Sequence, residues 1–194
     1  MSISITRKEL RRISVQVKRG LSSYYIKPNG LEVFLINIKD VMNGKINPKT
    51  VGKIRIKETD ALGKSRIQPD DVIITVKGSA FKAATASRAV QNYVISANLI
   101  AVTVNDEILP ELIVAYLNST MGQLELQSRA VGIAQKSINP KSLMEICIPI
   151  PPKDKQKQLT EYFLLSKEYD ALIERERELR KQINNHIVQI YMMR

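Results

Sequence analysis

Short apolar runs separated by polar residues dominate the first hundred residues, and this pattern predicts β-strands. Residues 31–38 are mostly apolar and predict one strand. Residues 53–57 alternate between cationic and apolar side chains, which predicts a strand with one exposed face. The β-branched run at residues 72–76 is typical of a buried strand. Residues 93–104 predict one or two further strands, so we expect this part of the chain to form a sheet.

Turn-forming residues separate these predicted strands. Asn43-Gly44 is a dipeptide that often forms a tight turn between two strands. Gln68-Pro69-Asp70-Asp71 predicts a second turn, which leads into the buried run. We interpret the paired Asp70 and Asp71 as part of a turn that caps a strand rather than as a metal site.

Apolar residues take helical spacing after residue 105. Residues 110–118 open with Pro, a favoured first residue of a helix, and predict one helix. Residues 121–128 predict a second short helix, and Gly132 breaks the chain after it. Asn139-Pro140 indicates the start of another helix. Residues 146–152 must be extended, because three prolines within four positions exclude both a helix and a central strand.

A heptad pattern of mostly apolar positions, called the seam, runs through the last forty residues. The chain contains no Gly or Pro after residue 153. The seam positions, taken every three and then four residues, are Tyr162, Leu165, Tyr169, Leu172, Glu176, Leu179, Ile183, His186 and Ile190. Residues between them are mostly Lys, Glu, Arg, Gln and Asn, so the pattern predicts a long coiled-coil helix. A long helix that lies on its own domain is the alternative, and the sustained periodicity favours pairing.

Two polar residues, Glu176 and His186, interrupt this seam. Either they fix the register and orientation of the pair, as polar seam residues can, or the coil frays at these positions. In an antiparallel pair centred near residue 181, the two side chains would lie close to each other.

These patterns together predict an α+β fold. We expect a mixed-sheet domain over residues 1–152, followed by a long C-terminal coiled-coil helix over residues 153–194.

The charge of the chain is unevenly distributed. The net charge is +11, and residues 1–60 hold 13 basic and 5 acidic residues, a net of +8. Residues 151–194 hold 9 basic and 7 acidic residues, a net of +2. This asymmetry favours a polyanionic partner for the first segment and a protein partner for the last. The alternative, a basic surface that only faces water, remains open on charge alone.

Residue counts exclude several kinds of site. The chain has one Cys and one His, so zinc sites and Cys/His catalysis are essentially excluded, and Cys147 is interpreted as a small core residue. A single Cys also fits a reducing compartment. Residues 1–9 lack the apolar core of a signal peptide, and no apolar stretch is long enough to span a membrane. We therefore expect a cytoplasmic protein.

Catalytic motifs of DNA-modifying enzymes do not match this sequence. Adenine methyltransferases need an Asn-Pro-Pro-aromatic or Asp-Pro-Pro-aromatic loop, whereas Asn47-Pro48-Lys49 and Asn139-Pro140-Lys141 lack the second Pro and the aromatic residue. No Gly-rich phosphate loop is present. The nuclease metal motif also fails, because Thr75 stands where an acidic residue is needed. We expect no catalytic site and no bound metal or cofactor.

Several segments together resemble the specificity subunits of type I restriction-modification systems. Residues 68–79 are similar to the family's Gly-Asp, apolar strand, Lys-Gly-small segment, and residues 131–140 resemble its Gly-x-x-Gln-x-x-Ile/Leu-x-Pro loop. Ile148-Pro149-Ile150-Pro151-Pro152, followed by Lys155-Gln156, looks like the start of the family's spacer helix. Asp170-Ala171-Leu172-Ile173 and residues 34–46 fit as well. The order and spacing of these weak motifs make the match specific.

The chain also departs from the family pattern. Asp70 stands where the family usually has Gly, and Lys155 replaces a common Glu. Full-length members hold two target recognition domains and two spacer helices, whereas this chain has one of each. It therefore resembles half a subunit, with a target recognition domain at residues 1–152 and a spacer or dimerisation helix at residues 153–194.

The resemblance implies a non-catalytic protein that directs other subunits to DNA. Each recognition domain would read one half of a bipartite double-stranded site, and the spacer helices would set the distance between the halves. Methyltransferase subunits would dock on this scaffold and modify adenine with S-adenosylmethionine, and the restriction nuclease subunit would join them. Two half-length chains would reproduce the full-length arrangement as an antiparallel homodimer.

The residues predicted to contact DNA are basic, polar or aromatic and lie in three segments. They are Lys18, Arg19, Ser22, Tyr24, Tyr25 and Lys27 in the first segment, Lys77, Ser79 and Lys82 in the second, and Gln135 and Lys136 in the third. Cations hold phosphates and polar side chains read base edges. The alternative interpretation of the first segment is an edge strand whose Lys side chains face water. Gln135 could cap the following helix instead of contacting a base.

Two other functions stay open. The chain could be an anti-restriction or non-sequence-specific DNA-binding protein of the same fold, or a structural coiled-coil adaptor with a basic surface. Salt-dependent binding to random duplex as tight as to any selected sequence indicates the first, and absence of DNA binding indicates the second.

Overall fold

The structure is a computed structural model that describes residues 5–78, 80–133 and 135–192. The chain forms two compact units, Met1–Lys157 and Gln158–Arg194. Ser79, one of the predicted DNA contacts, lies outside the described residues.

The described residues of the first unit form many short strands and helices. The strands are β1 (Thr6–Glu9), β2 (Ser14–Arg19), β3 (Ile26–Ile36), β4 (Val41–Met42), β5 (Lys45–Ile46), β6 (Gly52–Ile56), β7 (Val72–Thr75), β8 (Ala83–Thr85), β9 (Val94–Ile95), β10 (Leu99–Val104), β11 (Ala130–Val131), β12 (Ser137–Ile138) and β13 (Cys147–Ile150). The helices are α1 (Leu10–Ile13), α2 (Asp60–Lys64), α3 (Pro110–Asn118), α4 (Thr120–Ser128) and α5 (Pro140–Met144). Short 3-10 helices cover Ser23–Tyr25, Ile38–Asp40 and Arg88–Val90. Helix α6 (Lys153–Met192) begins in the first unit and forms the second.

A six-stranded sheet with the order β2-β10-β7-β8-β5-β4 forms the larger layer of the first unit. Its pairs are antiparallel except for β5 and β8, which run parallel, so the predicted mixed sheet is confirmed. Every residue of β7 is buried, as its β-branched sequence predicts. Strand β2 lies at the edge, which is why Val15 and Val17 remain exposed there.

A three-stranded sheet with the order β6-β3-β9 forms the second layer. Strand β3 pairs antiparallel with β6 and parallel with β9. The register between β3 and β6 shifts between Ile26 and Leu31, so the start of β3 is bulged. This strand begins five residues earlier than the sequence predicts, because residues 27–30 interrupt its apolar pattern.

Strand β13 pairs antiparallel with β1 in a separate two-stranded sheet. Pro149 lies opposite Arg7 in this pair. A proline is tolerated because a two-stranded sheet leaves one side of each strand without a ladder. The extended conformation predicted for residues 146–152 is confirmed, and its pairing with the charged strand β1 was not predicted.

Two apolar clusters form part of the buried interior of the first unit. The larger one packs buried residues of β3, β4, β5, β7, β8, β9 and β10, including Ile36, Ile73 and Ile95. The smaller one packs Leu21 and Leu62 against buried residues of β3, β6 and β9. Strands β3 and β9 contribute buried residues to both clusters.

Local signals position the turns and helix starts. Asn43 and Gly44 both have positive φ, 51° and 74°, as the predicted tight turn between β4 and β5 requires. Helix α3 begins at Pro110, helix α4 is capped by the Ser119 hydroxyl, and helix α5 is capped by the Asn139 carboxamide. The first two helices are confirmed within one residue of their predicted bounds, and the predicted start of the third is confirmed.

The first turn of α6 is tied to the rest of the first unit by Gln156, which is 1% exposed. Its Oε1 accepts a hydrogen bond from the Leu109 backbone N–H at 3.0 Å. Its Nε2 donates to the carbonyl oxygens of Glu107 at 2.7 Å and Pro151 at 2.9 Å. One amide side chain therefore fixes the loop before α3 and the start of α6 in one arrangement.

Candidate nucleic-acid interface

The segment after β2 approaches the end of β9 so closely that only glycine fits at position 20. A Cβ on Gly20 would lie 1.9 Å from the backbone oxygen of Ser96. The Leu21 N–H donates to the Ile95 carbonyl at 2.8 Å, and the Ala97 N–H donates to the Leu21 carbonyl at 2.8 Å. This loop is therefore held against the protein interior rather than left free.

An aromatic turn follows this close approach. The Ser22 hydroxyl accepts a hydrogen bond from the Tyr24 backbone N–H at 3.3 Å and caps the 3-10 helix Ser23–Tyr25. The rings of Tyr24 and Tyr25 pack edge to face with centroids 5.5 Å apart. The Lys27 ammonium lies 5.5 Å from the centroid of the Tyr24 ring. Tyr24 is 75% exposed, so it presents an aromatic face and a hydroxyl to solvent beside a cation.

The second and third predicted segments meet through backbone contacts. The Gly78 N–H donates to the Lys136 carbonyl at 3.0 Å, and Lys77 forms a β-bridge with Ser137. Gly132 has a φ of 104°, and a Cβ there would lie 2.4 Å from the Gln135 carbonyl oxygen. The loop that carries Gln135 and Lys136 is therefore folded tightly beside Lys77.

Lys82 belongs to the same region, because it pairs with the end of β7. Its backbone N–H donates to the Thr75 hydroxyl at 2.8 Å, and its carbonyl accepts from the Thr75 N–H at 2.9 Å. Lys77 and Lys82 therefore flank the short connection that leaves the buried strand.

A cavity of about 330 Å³ brings the first and second segments together. Its walls include Ser22 from the first segment and Lys77 from the second. The lining residues are Leu21, Ser22, Ser23, Ile26, Leu35, Asn37, Ile54, Ile56, Lys77, Ser96, Ala97 and Asn98. Because Lys77 also contacts the loop of Lys136, all three predicted segments line or adjoin this one cavity.

Sequence reasoning missed the residues that the β9–β10 connection contributes to this cavity. Residues 93–104 look like a nearly uninterrupted apolar run, whereas the structure splits them at residues 96–98. The only local signal for this break was Asn98, a residue that favours turns. Asn37, which follows β3, was likewise not predicted.

The predicted cations of these segments, with one exception, are available to a ligand. Within residues 5–78, 80–133 and 135–192, no ion pair involves Arg19, Lys27, Lys77, Lys82 or Lys136. An unpaired cation at a protein surface attracts anions, so this region favours a negatively charged partner.

Lys18 is the exception, and the prediction that it contacts DNA is wrong. Its side chain is 6% exposed, and its ammonium lies 2.5 Å from a carboxylate oxygen of Asp71, which is fully buried. Lys18 lies on β2 opposite Ala101 of β10, and its side chain is buried. The alternative reading of this segment as an edge strand is correct for β2, although this Lys is buried rather than solvated.

Helix α6 leaves the apolar side chains of its seam exposed within the single chain. Exposed fractions range from 42% at Leu179 and Ile190 to 65% at Tyr162 and Tyr169. Leu165, Leu172 and Ile183 lie between these values. The remaining seam residues, Glu176 and His186, are also exposed, and the Glu176 carboxylate accepts from the Arg180 guanidinium at 2.7 Å.

Neither a metal centre nor a membrane helix is found among the residues described. No group of three or more His, Cys, Asp or Glu side chains in that part of the chain is placed to hold a metal ion. None of its helices is both long and apolar enough to cross a membrane.

Comparison with known proteins identifies the family. A family model described as the type I restriction modification DNA specificity domain matches residues 25–185. A search of curated proteins finds no significant match.

Three solved structures share the fold over nearly the whole chain. One comes from work on complex assembly and conformational transition of the type I R-M system, at 17% identity and a TM-score of 0.71, and it covers 98% of this chain and 45% of that one. The S subunit of a type I restriction-modification system from M. genitalium matches at 19% identity with a TM-score of 0.58. This match covers 98% of this chain and 47% of that one. The HsdS subunit from Thermoanaerobacter tengcongensis matches at 19% identity with a TM-score of 0.64. This match covers 91% of this chain and 40% of that one.

The chain thus spans less than half the length of each of these structures. The likeness shows the predicted α+β fold with its long C-terminal helix, and the family model covers most of both parts. The chain belongs to the type I restriction modification DNA specificity domain family.

Proposed function

We propose that this chain is the specificity subunit of a type I restriction-modification system and binds one half of a bipartite DNA site. The observation that carries the proposal is that Ser22 and Lys77, from two of the predicted segments, line one cavity and that the loop of Lys136 contacts Gly78 beside it, in a chain of the specificity-domain family. Sequence selection would then belong to the side chains that these segments present to the duplex.

Cations and polar groups would have separate tasks in this complex. Arg19, Lys27, Lys77, Lys82 and Lys136 neutralise phosphates, which supplies affinity that is independent of sequence and falls with added salt. Ser22, Tyr24, Tyr25 and Gln135 contact sugar edges and bases, where a side-chain amide pairs with adenine in the major groove.

Two copies of the chain would be needed to read both halves of the site. The exposed seam of α6 places seven apolar or aromatic side chains on one helix, and burial of each aliphatic one is worth about 1.5–3 kcal/mol. A second copy related by a two-fold axis provides an identical seam. We propose an antiparallel homodimer, because the full-length family members pair two spacer helices in that way.

Chemistry on the DNA would come from other subunits. Methyltransferase subunits would bring S-adenosylmethionine and modify adenine, and a restriction nuclease subunit would join the same scaffold. This chain would hold these enzymes at the site and take no part in bond formation or cleavage.

The test combines binding and methylation. Duplexes enriched from a random pool should bind the chain, in the presence of a methyltransferase subunit, more tightly than random duplex, and should be methylated at adenine only in that mixture. Equal binding to selected and random duplexes would point to the non-specific alternative. Transfer of labelled methyl groups by the chain alone would contradict the proposal.

A further inference from the structure

The cavity beside Ser22 and Lys77 contains a buried polar group that the protein leaves without a partner. Ser96 is 6% exposed, and its hydroxyl has no hydrogen-bond partner among the residues described. Ser96 is one of the residues that line the cavity. Buried side-chain polar atoms are nearly always hydrogen-bonded in folded proteins, so this hydroxyl indicates an occupant with a donor or an acceptor.

Two further polar groups in the walls are similarly free. The Lys77 ammonium has no ion pair within the described ranges. Asn98 accepts a hydrogen bond at its backbone carbonyl from the Val76 N–H, and its carboxamide has no hydrogen bond to the described residues. Both residues are half-buried. A carboxamide offers one donor and one acceptor side by side, and an ammonium offers only donors with a positive charge. Together with Ser22, Ser23 and Asn37, these residues line the cavity with hydroxyls, amides and one cation.

Apart from Ser22, Ser23 and Asn37, the remaining lining residues are apolar. Leu21, Leu35 and Ile56 are buried in the protein and form part of the lining, together with the more exposed Ile26 and Ile54. A volume of about 330 Å³ lies within the range of small-molecule sites. An occupant that matches these walls needs apolar faces, an edge with adjacent donors and acceptors, and an anionic end.

We propose that this cavity binds one unpaired nucleotide. The faces of the base lie against the apolar walls, its edge pairs with Ser96 and Asn98, and its phosphate lies at Lys77. Asparagine pairs with adenine through this kind of two-bond contact, so adenine is the base expected. The nucleotide has two possible sources, a free mononucleotide and a base extruded from bound DNA into the cavity.

The first arm of the test uses the full chain and free nucleotides. Adenosine 5′-monophosphate is titrated by calorimetry, with inorganic phosphate and cytidine 5′-monophosphate as comparisons. We expect saturable binding of the adenine nucleotide, weakened about tenfold by Ser96→Ala, the usual effect of one lost hydrogen bond. Ala97→Phe, at an exposed position in the lining, should abolish binding by filling the cavity.

Stability measurements separate a binding role of Ser96 from a structural one. Ser96→Ala removes a hydroxyl that stabilises nothing in the described chain, so its unfolding midpoint should equal or exceed that of the wild type. Thr59→Val is the matched control, because the Thr59 hydroxyl is also buried without a partner but does not line the cavity. This variant should bind the nucleotide as the wild type does.

The second arm tests delivery of the base by DNA. A duplex selected for binding to the chain carries 2-aminopurine in place of each adenine in turn. A rise in fluorescence at one position, lost in Ala97→Phe, assigns the cavity to an extruded base. If the nucleotide binds in the first arm and no fluorescence rise is seen in the second, the cavity is assigned to a free nucleotide.

The proposal is overturned by absence of saturable nucleotide binding together with absence of a fluorescence rise. It is also overturned if Ser96→Ala and Ala97→Phe bind as the wild type does in both arms. Neither result affects the proposed DNA-binding function, because duplex binding and its salt dependence are measured separately and depend on the surface cations rather than on an occupant of the cavity.

Discussion

Lys18 and Asp71, 53 residues apart in the sequence, form a buried ion pair with 2.5 Å between ammonium and carboxylate oxygen. Asp71 also accepts hydrogen bonds from the Thr103 hydroxyl at 2.5 Å and from the Gln68 backbone N–H at 2.8 Å. The pair therefore joins the edge strand β2 to the turn before β7 and to β10. A turn residue and a residue predicted to contact DNA are in fact parts of one internal network.

We expect Lys18→Ala to destabilise the first unit by about 3–5 kcal/mol, because it leaves a buried carboxylate without its counter-charge. The double variant Lys18→Met with Asp71→Leu should be less destabilised than Lys18→Ala, since neither charge remains buried alone. Urea unfolding followed by circular dichroism measures both. A Lys18→Ala protein as stable as the wild type would show that the pair is not formed.

Removal of Lys77 and Lys82 should weaken DNA binding to all sequences alike. Each lysine that neutralises a phosphate adds about one unit to the slope of log affinity against log salt, so the double alanine variant should lower that slope by about two. Fluorescence anisotropy over a salt series measures it. Lys64→Ala removes the same charge from an exposed residue outside the cavity lining and should leave the slope unchanged if the interface is correctly placed.

Leu172→Asp with Leu179→Asp should convert the proposed dimer into monomers, because each change places a charge in the apolar seam. Arg177→Asp with Asn184→Asp provides the control, since these residues directly follow seam positions 176 and 183 and are exposed. Sedimentation velocity at micromolar concentration distinguishes the two variants. A wild-type monomer under these conditions contradicts the dimer, and the DNA-binding proposal stands without it.

An antiparallel homodimer also makes a prediction about the target. Two identical recognition domains related by a two-fold axis should prefer a palindrome of two identical half-sites around an unread spacer. Sequencing of duplexes enriched by binding measures this preference. The seam variant should lose the preference for paired half-sites, and a strictly asymmetric target for the wild type would exclude the symmetric arrangement.

Gln156→Ala should loosen the loop before α3, because it removes the acceptor for the Leu109 N–H and the donor for two carbonyl oxygens. Hydrogen exchange at the Leu109 amide should accelerate strongly, while amides of β7 exchange as before. Gln156→Glu retains an acceptor for Leu109 but places a carboxylate beside two carbonyl oxygens, so it should destabilise the loop as well. Unchanged exchange at Leu109 in both variants would contradict this role.

The raised pKa of Tyr116 predicts that the folded protein loses stability in alkali. Burial and a 2.8 Å hydrogen bond from its hydroxyl to Glu125 raise the pKa of Tyr116 to about 12. Because the folded pKa lies above that of an unfolded tyrosine, about 10, this contribution to stability is complete below pH 10 and falls as the pH rises toward 12. Tyr116→Phe should lack this component in urea unfolding across that range. Tyr24→Phe, at an exposed tyrosine, should behave as the wild type.

Sequence patterns predicted those elements whose signals are local. The helix that begins at Pro110, the turn at Asn43-Gly44 and the long helix α6 each carry their own cap, turn residue or periodicity, and all three are confirmed. Strand β1 carries no such signal, because its residues Thr6–Glu9 are mostly charged and become a strand only by pairing with β13. Pairings between distant segments are not encoded in periodicity.

The same limit applies to the candidate interface. Charge and composition selected the three segments; of their predicted contacts, Ser22 and Lys77 line one cavity, and the loop of Lys136 contacts Gly78 beside Lys77. Burial of Lys18 could not be predicted, because its partner Asp71 lies in a turn that the sequence gives no reason to place beside β2. The contribution of Ser96 was hidden for a related reason, since a polar residue within an apolar run looks like the exposed face of a strand.

Pairing of β1 with β13 has a consequence for how this protein can be rearranged. Thr6 lies opposite Ile150, so the polypeptide enters and leaves the described part of the first unit at neighbouring positions on two paired strands. Segments whose ends lie side by side are tolerated as insertions and permutations. Exchange of the segment between β1 and β13 with that of another family member should therefore act as a cassette, which gives an unchanged α6 a new target sequence.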